Sequence, residues 1–162
     1  MTNPEFSPRE HRLCEPRAFE DLRVGERYCL PSRTMTEAVF TAFQAASADN
    51  HPIHYDVEYC RAQGHPALLA HGFQVLIQTA AGSGLFPHVI GEALVGFIEQ
   101  SSRFLKPVHA GDTVYPALTI SEIKKGRTTG VVTVRSTLHN QRGELCMEGE
   151  QKYLVRLGRP QA

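Results

Sequence analysis

The apolar positions of this chain change their period partway along it, and that change constrains the fold more than any other feature. Four runs, "ALVGFIEQSSRFLKPV" (93–108), "TVYPALTISEI" (113–123), "TGVVTVRSTLHN" (129–140) and "ELCMEGEQKYLVRL" (144–157), read as strands. Val114, Pro116, Leu118 and Ile120 share one face of the second run, and Leu145, Met147, Tyr153 and Val155 are in phase on the last. The turns "KKGR" and "NQRG" are short, so successive strands are expected to form an antiparallel meander, with a fifth strand near 26–33. A sheet with one apolar face needs a cover. Residues Gly72 to about Ala81 are apolar almost all round, broken by Gln74, Gln78 and Thr79, which is the composition of a buried helix stopped by Gly82 and Gly84. The expected architecture is α+β, a five-stranded antiparallel sheet wrapped around one long central helix. A second helix is expected over "RTMTEAVFTAFQAASAD" (33–49), capped by Thr36 or Thr34, with Val39, Phe40, Phe43 and Ala46 at helical spacing.

The chain has 162 residues, enough for one domain with a real core, and residues 18–158 are assigned to it. Residues 1–17 carry Pro4, Pro8 and Pro16 among many charges with no period and read as an extended or disordered arm. The formal net charge is zero, and no basic run exceeds Lys124-Lys125, which argues against nucleic acid or an anionic membrane surface as partner. No apolar run reaches the length of a membrane span, and the charged, proline-bearing N-terminal region is unlike a signal peptide. Cys14, Cys29, Cys60 and Cys146 lack metal-type spacing and read as reduced thiols in a cytoplasmic protein.

The chemistry concentrates in "ADNHPIHYD", residues 48–56, where Asp49, His51 and His54 surround Pro52. Pro52 ends any helical continuation and pushes His51 toward extended geometry. Three readings fit these residues. One is a polar turn whose Asp49 or Asn50 bonds nearby backbone N–H groups. Another is a metal site of Asp49, His51 and His54, perhaps with His71, although the proline turns these side chains in different directions. The third is general acid–base chemistry by Asp49 and His54, in which a carboxylate holds the imidazole tautomer or shares a bound water with it. Gly72 in "AHGF" opens the proposed buried helix, so its N–H has no intrahelical acceptor, and the missing side chain lets a ligand oxygen approach.

The stretches "SADNHPIHYD", "LAHGFQVLIQTAAG" and "SSRFLKPVHAGDTV" resemble the MaoC-like dehydratases and (R)-specific enoyl-CoA hydratases, single-domain enzymes of the hotdog fold. The resemblance spans most of residues 19–155. Its most specific element is an Asp followed at the fifth position by His, with Asn-Pro-hydrophobic between; here these are Asp49, Pro52, Ile53 and His54. Ala48 stands where glycine is usual and His51 where asparagine is usual. The resemblance implies Asp49 and His54 as the catalytic pair, the Gly72 amide as oxyanion donor, and His51, Pro52 and His71 as supporting residues. Ala80 falls where some members carry a serine, so no role is carried over to it.

The implied reaction is reversible syn hydration of a trans-2-enoyl thioester with no metal or redox cofactor, coenzyme A being part of the substrate. Arg103 and Lys106 are candidates for its phosphates, set against an ordinary role as solvated strand-end charges. A homodimer is expected, with the strand around 93–104 in the contact. Rival expectations are a hotdog thioesterase and a non-catalytic acyl-CoA binding module.

Overall fold

A computed structural model describes Ser7 and residues 11–158. Most of the expected 1–17 arm lies outside the described residues. Its last part is docked: the Arg17 N–H donates to Val89 O (2.7 Å), and the Arg17 guanidinium makes two 2.8 Å contacts with Glu26.

The sheet is antiparallel throughout and has six strands: β1 (Arg27–Cys29), β2 (Arg33–Thr34), β3 (Leu94–Phe104), β4 (Thr113–Lys125), β5 (Thr129–Asn140) and β6 (Leu145–Arg156). The single strand expected near 26–33 is two short ones, both paired with β4 and separated by "LPS" at 30–32, where Pro31 has no N–H for a ladder bond. The strand order is β1-β4-β5-β6-β3. The expected meander therefore holds for β4 to β6 only. β3 pairs with β6 instead of β4, because residues 105–112 form a crossing segment instead of a tight hairpin. The Leu105 N–H donates to Cys146 O (2.8 Å), which ties the start of that segment to β6.

Alternation buries Val114, Leu118, Ile120, Val132, Val134, Leu138, Met147 and Val155 completely. Side chains of this size each contribute about 1.5–3 kcal/mol on burial. Leu145 does not share their phase. His139 pairs with Leu145 but Leu138 pairs with Met147, so Cys146 is the extra residue of a bulge; it and Met147 are both buried.

Helix α1 (Glu37–Ser47) starts as expected, with the Thr36 hydroxyl accepting the Val39 N–H, and α2 (Val57–Ala62) is capped by Asp56 Oδ1, which accepts the Glu58 and Tyr59 N–H groups. The cover of the sheet is less regular than the sequence suggests. Helix α3 spans only Gly72–Leu76 and runs into separate 3-10 turns at Ile77–Thr79 and Ala81–Ser83, followed by α4 (Phe86–Ile90). The reason lies in the polar residues of this segment, whose side chains compete for its carbonyls. Gln78 Nε2 donates to Gln74 O (3.0 Å), the Thr79 hydroxyl to Leu76 O (2.8 Å), and Gln151 of β6 to Thr79 O (3.0 Å). The Gln151 bond also anchors the segment to β6 of the sheet. No helix among the described residues is long and apolar enough to cross a membrane.

Candidate active site

Three short pieces of backbone meet beside α3. The first is the end of α1, where Ala48 takes a left-handed conformation (φ 56°) and turns the chain into Asp49. This conformation is uncommon for a residue with a Cβ, which gives a physical reason for glycine being usual at this position. The second is the 3-10 turn Pro52–His54, with Pro52 at its first position and His51 as its cap: His51 Nδ1 accepts the Ile53 N–H (3.3 Å). An asparagine oxygen does the same work, so His51 and Asn are interchangeable for this purpose. The third is the extended run Leu68–Ala70, held to the crossing segment through Ala70 N–H to Val108 O (2.8 Å) and Ala110 N–H to Leu68 O (2.9 Å).

Asp49, His54 and His71 converge, with one donor atom of each within 4.8 Å of the others. The carboxylate is divided between two tasks. Asp49 Oδ1 accepts the His51 N–H (2.9 Å), and Asp49 Oδ2 lies 2.9 Å from His71 Nε2. The polar turn and the acid–base reading are thus compatible, since each oxygen serves one of them. The His51 N–H holds the Asp49 carboxyl below its ordinary range; burial, next in size, pushes it up, and the surrounding imidazoles add lesser downward pulls.

Backbone partners assign the tautomers. His54 Nδ1 lies 2.6 Å from Leu69 O, which only accepts, so neutral His54 carries its proton on Nδ1 and its lone pair on Nε2. The Phe73 N–H donates to His71 Nδ1 (3.0 Å), so neutral His71 carries its proton on Nε2 and donates it to Asp49. His71 is also the cap of α3, with its own N–H bonded to Gln74 Oε1 (3.3 Å) in a reciprocal capping box.

Sequence spacing pairs Asp49 with His54 and leaves His71 a supporting place; in the fold it is His71 that contacts the carboxylate. The signal for it is His71-x-x-Gln74, a capping-box spacing with His in place of Ser or Thr. His51 stands outside the cluster, its Nδ1 engaged by Ile53, so the metal set that includes it does not assemble. The remaining three groups suit a cation poorly. Ligation through His71 Nε2 requires a lone pair there, and that forces Nδ1 to take the proton and lose the Phe73 N–H.

Beside the cluster lies a cleft of about 440 Å³ lined by His54, Gly72, Val75, Phe104, Lys106 and Val108, among others. The Gly72 N–H has no acceptor among the described residues. A Cβ on residue 72 would stand 3.1 Å from Phe104 Cε2, so a side chain there would require the ring to shift by a few tenths of an ångström. Because α3 is only five residues long, this amide acts as a single donor with little macrodipole behind it. Lys106 lines the cleft, with its amine 3.4 Å from Glu144 Oε1. Asn140, Arg142 and Lys106 hold the Glu144 carboxyl down to about 2. Arg103 is placed differently: it is exposed and paired with Glu148, which also binds Arg135 at 2.8 Å, and it does not line the cleft.

Residues 21–141 match the family model described as the MaoC like domain, and the chain belongs to that family. It is 28% identical over 141 residues to the (R)-specific enoyl-CoA hydratase of Rhodospirillum rubrum, covering 85% of this chain and 90% of that protein. It is 27% identical over 135 residues to the (R)-specific enoyl-CoA hydratase of Aeromonas caviae, covering 81% and 93%. Relatives at a similar level include proteins known only as UPF0336, one of them from Streptomyces griseus. Among solved structures, that of a monoamine oxidase regulatory protein from Archaeoglobus fulgidus superposes with a TM-score of 0.82 at 28% identity, over 91% of this chain and 99% of the other. A Mycobacterium tuberculosis protein described as having a double hotdog fold superposes with a TM-score of 0.74 at 20% identity, over 91% of this chain and 46% of the other, and the fold is the hotdog.

Proposed function

We propose that this protein catalyses reversible syn hydration of a trans-2-enoyl-CoA to a 3-hydroxyacyl-CoA. The observation that carries the reading is the His54 tautomer. A neutral imidazole with Nδ1–H fixed by Leu69 O carries its lone pair on Nε2, one ring nitrogen of His54 lies within 4.8 Å of the Asp49 carboxylate, and both His54 and Gly72 line the cleft. Hydratases at 28% and 27% identity support the same substrate class.

In this reading a water is held between Asp49 and His54. His54 Nε2 takes one of its protons as the oxygen bonds to C3. The C2–C3 π electrons move toward C1, and the thioester oxygen gains negative charge that the Gly72 N–H meets. One such donor is commonly worth about 3 kcal/mol. The enolate then collapses, C2 takes the proton from the same face, and the imidazole returns to neutral. Every step uses the chain's own groups and the acidity that the thioester confers on C2. Lys106, at the cleft wall, is the candidate for a coenzyme A phosphate; Arg103 is committed to Glu148.

A homodimer completes this reading. β3 is a sheet edge, and Val95, Phe97, Ile98, Phe104 and Leu105 are all exposed on or just beyond it, as are Phe73 and Ile77 one helical turn apart near the site. A second copy added at that edge would cover these side chains and narrow the cleft, strengthening the electrostatics inside it. The test is turnover of crotonyl-CoA. Hydration removes the enoyl absorbance with no thiol released. Thiol release marks a thioesterase, and tight binding without turnover marks a binding module.

A further inference from the structure

We infer that His71 is a positioning residue that ties the Gly72 oxyanion donor to the Asp49 carboxylate through one directional chain of hydrogen bonds. The inference rests on the hydratase reading for its kinetic part and on geometry alone for the chain itself. The order of donors is fixed because both ends are backbone N–H groups. The Phe73 N–H donates to His71 Nδ1 (3.0 Å), His71 Nε2–H donates to Asp49 Oδ2 (2.9 Å), and the His51 N–H donates to Asp49 Oδ1 (2.9 Å). The imidazole thus spans the gap between the first turn of α3, which carries Gly72, and the turn that carries Asp49 and leads to His54.

The ring is held on its faces as well as its edges. It lies against Phe43 of α1 (centroids 5.4 Å apart), Phe73 (5.5 Å, stacked) and His54 (5.1 Å). With both oxygens of Asp49 engaged by fixed donors, the carboxylate cannot rotate, and its remaining lone pairs keep one orientation toward a water shared with His54. A small error here is costly, because displacement of a reacting group by about 1 Å can lower a rate on the order of 100-fold. His71 is not among the residues lining the cleft and has both ring nitrogens engaged, so its effect on the rate passes through Asp49 and Gly72.

Two substitutions separate this role from simple helix capping. In His71→Asn the side-chain oxygen still accepts the Phe73 N–H but does not reach Asp49; in His71→Ala both bonds are lost. His71→Asn is expected to melt within a few degrees of wild type and to lose roughly tenfold or more in kcat with KM for crotonyl-CoA little changed. His71→Ala is expected to lose the same in kcat and to melt lower. A His71→Asn enzyme with kcat within about twofold of wild type overturns the proposal. An independent arm needs no turnover: nitrogen-15 spectra of the imidazoles should report the Nε2–H tautomer for His71, with a slowly exchanging proton that disappears in Asp49→Ala and persists in His54→Gln. An Nδ1–H tautomer, or a proton signal indifferent to Asp49→Ala, overturns the chain of bonds whatever the enzyme does. Absence of hydration by the wild-type protein overturns the reaction reading, while the spectra still decide the chain of bonds.

Discussion

Two clusters in this molecule have the same composition, two imidazoles and a carboxylate, and opposite character. One is Asp49, His54 and His71; the other is His65, His109 and Asp112. In the second cluster the carboxylate's hydrogen-bonding capacity is spent on surrounding protein groups. His65 Nδ1 lies 3.3 Å from His109 Nε2, and Asp112 accepts the His109 N–H (2.9 Å), Gln141 Nε2 (2.7 Å) and an Arg142 N–H (3.2 Å). The Asp112 side chain is 9% exposed and that of Asp49 is 32% exposed. In the first cluster His54, at the wall of a cleft, has no partner on Nε2 among the described residues. What separates the proposed chemical site from the other cluster is thus the capacity left over at a cleft wall, since the residue types are shared. The buried cluster still serves the site: Leu69, whose carbonyl fixes His54, forms a bridge with His109.

Substituting the two carboxylates in turn should give opposite outcomes, and these are the largest effects expected. Asp49→Asn and His54→Gln should each lower kcat by two or more orders of magnitude with circular dichroism and melting unchanged. Asp112→Asn should do the reverse, lowering stability by about 1–3 kcal/mol because a buried hydrogen-bonded network is left incomplete, with kcat altered only a few-fold. Urea titration alongside crotonyl-CoA kinetics reads both. An Asp112→Asn protein that is stable but inactive would move the chemistry to the second cluster.

The second cluster should also set acid lability. Burial, with His65 and Arg142 adding to it against the pull of Asp112, pushes the His109 imidazole below its ordinary 6.5. The unfolded chain therefore takes up that proton first, and stability falls as pH drops below about 6.5. Burial raises the Asp112 carboxyl, but the His109 N–H, Gln141 and Arg142 together outweigh it and hold it below its ordinary 3.8. Its contribution is complete above about 3.8 and is lost as pH falls through the lowered folded value. In melting curves between pH 7 and pH 5, His109→Gln should flatten the slope, and a slope equal to that of wild type would contradict this role.

Smaller effects are expected around the first cluster. Ala48→Gly relieves the left-handed backbone at φ 56° and should stabilise by about 0.5–1 kcal/mol, read as a melting point a few degrees higher, with kcat unchanged. His51→Asn should be active within a few-fold, because the Ile53 N–H finds an oxygen in place of Nδ1, and EDTA should not inhibit either protein. Loss of activity in His51→Asn together with inhibition by EDTA would instead indicate a metal site.

The long strands β4, β5 and β6 are legible in the sequence because one sheet face is buried and each side chain reports its side by alternation. The pairing of β3 with β6 is not, since a strand's pattern shows which face is apolar and says nothing about which neighbour it has. Cys146 puts Leu145 out of phase through a bulge with no local signature. The length of α3 is hidden for a related reason. Gln78 and Thr79 pass as minor interruptions of an apolar run until their hydrogen bonds to Gln74 O and Leu76 O are seen. At the site, Asp49, His54 and Gly72 are readable from spacing and the resemblance. The bond between His71 and Asp49 is not, because it joins residues 22 positions apart through the capping geometry of a helix of which spacing reveals only the start.

Whether the first cluster performs syn hydration can be read from a single product, that of crotonyl-CoA turned over in deuterium oxide and followed by proton NMR. In the proposed reaction hydroxide and proton are delivered from one side of the substrate by Asp49 and His54, with the thioester kept whole on the Gly72 amide. The predicted product is 3-hydroxybutyryl-CoA carrying one deuterium at C2, on the same face as the new hydroxyl. Free coenzyme A with unlabelled crotonate, or a deuterium on the face opposite the hydroxyl, would contradict it.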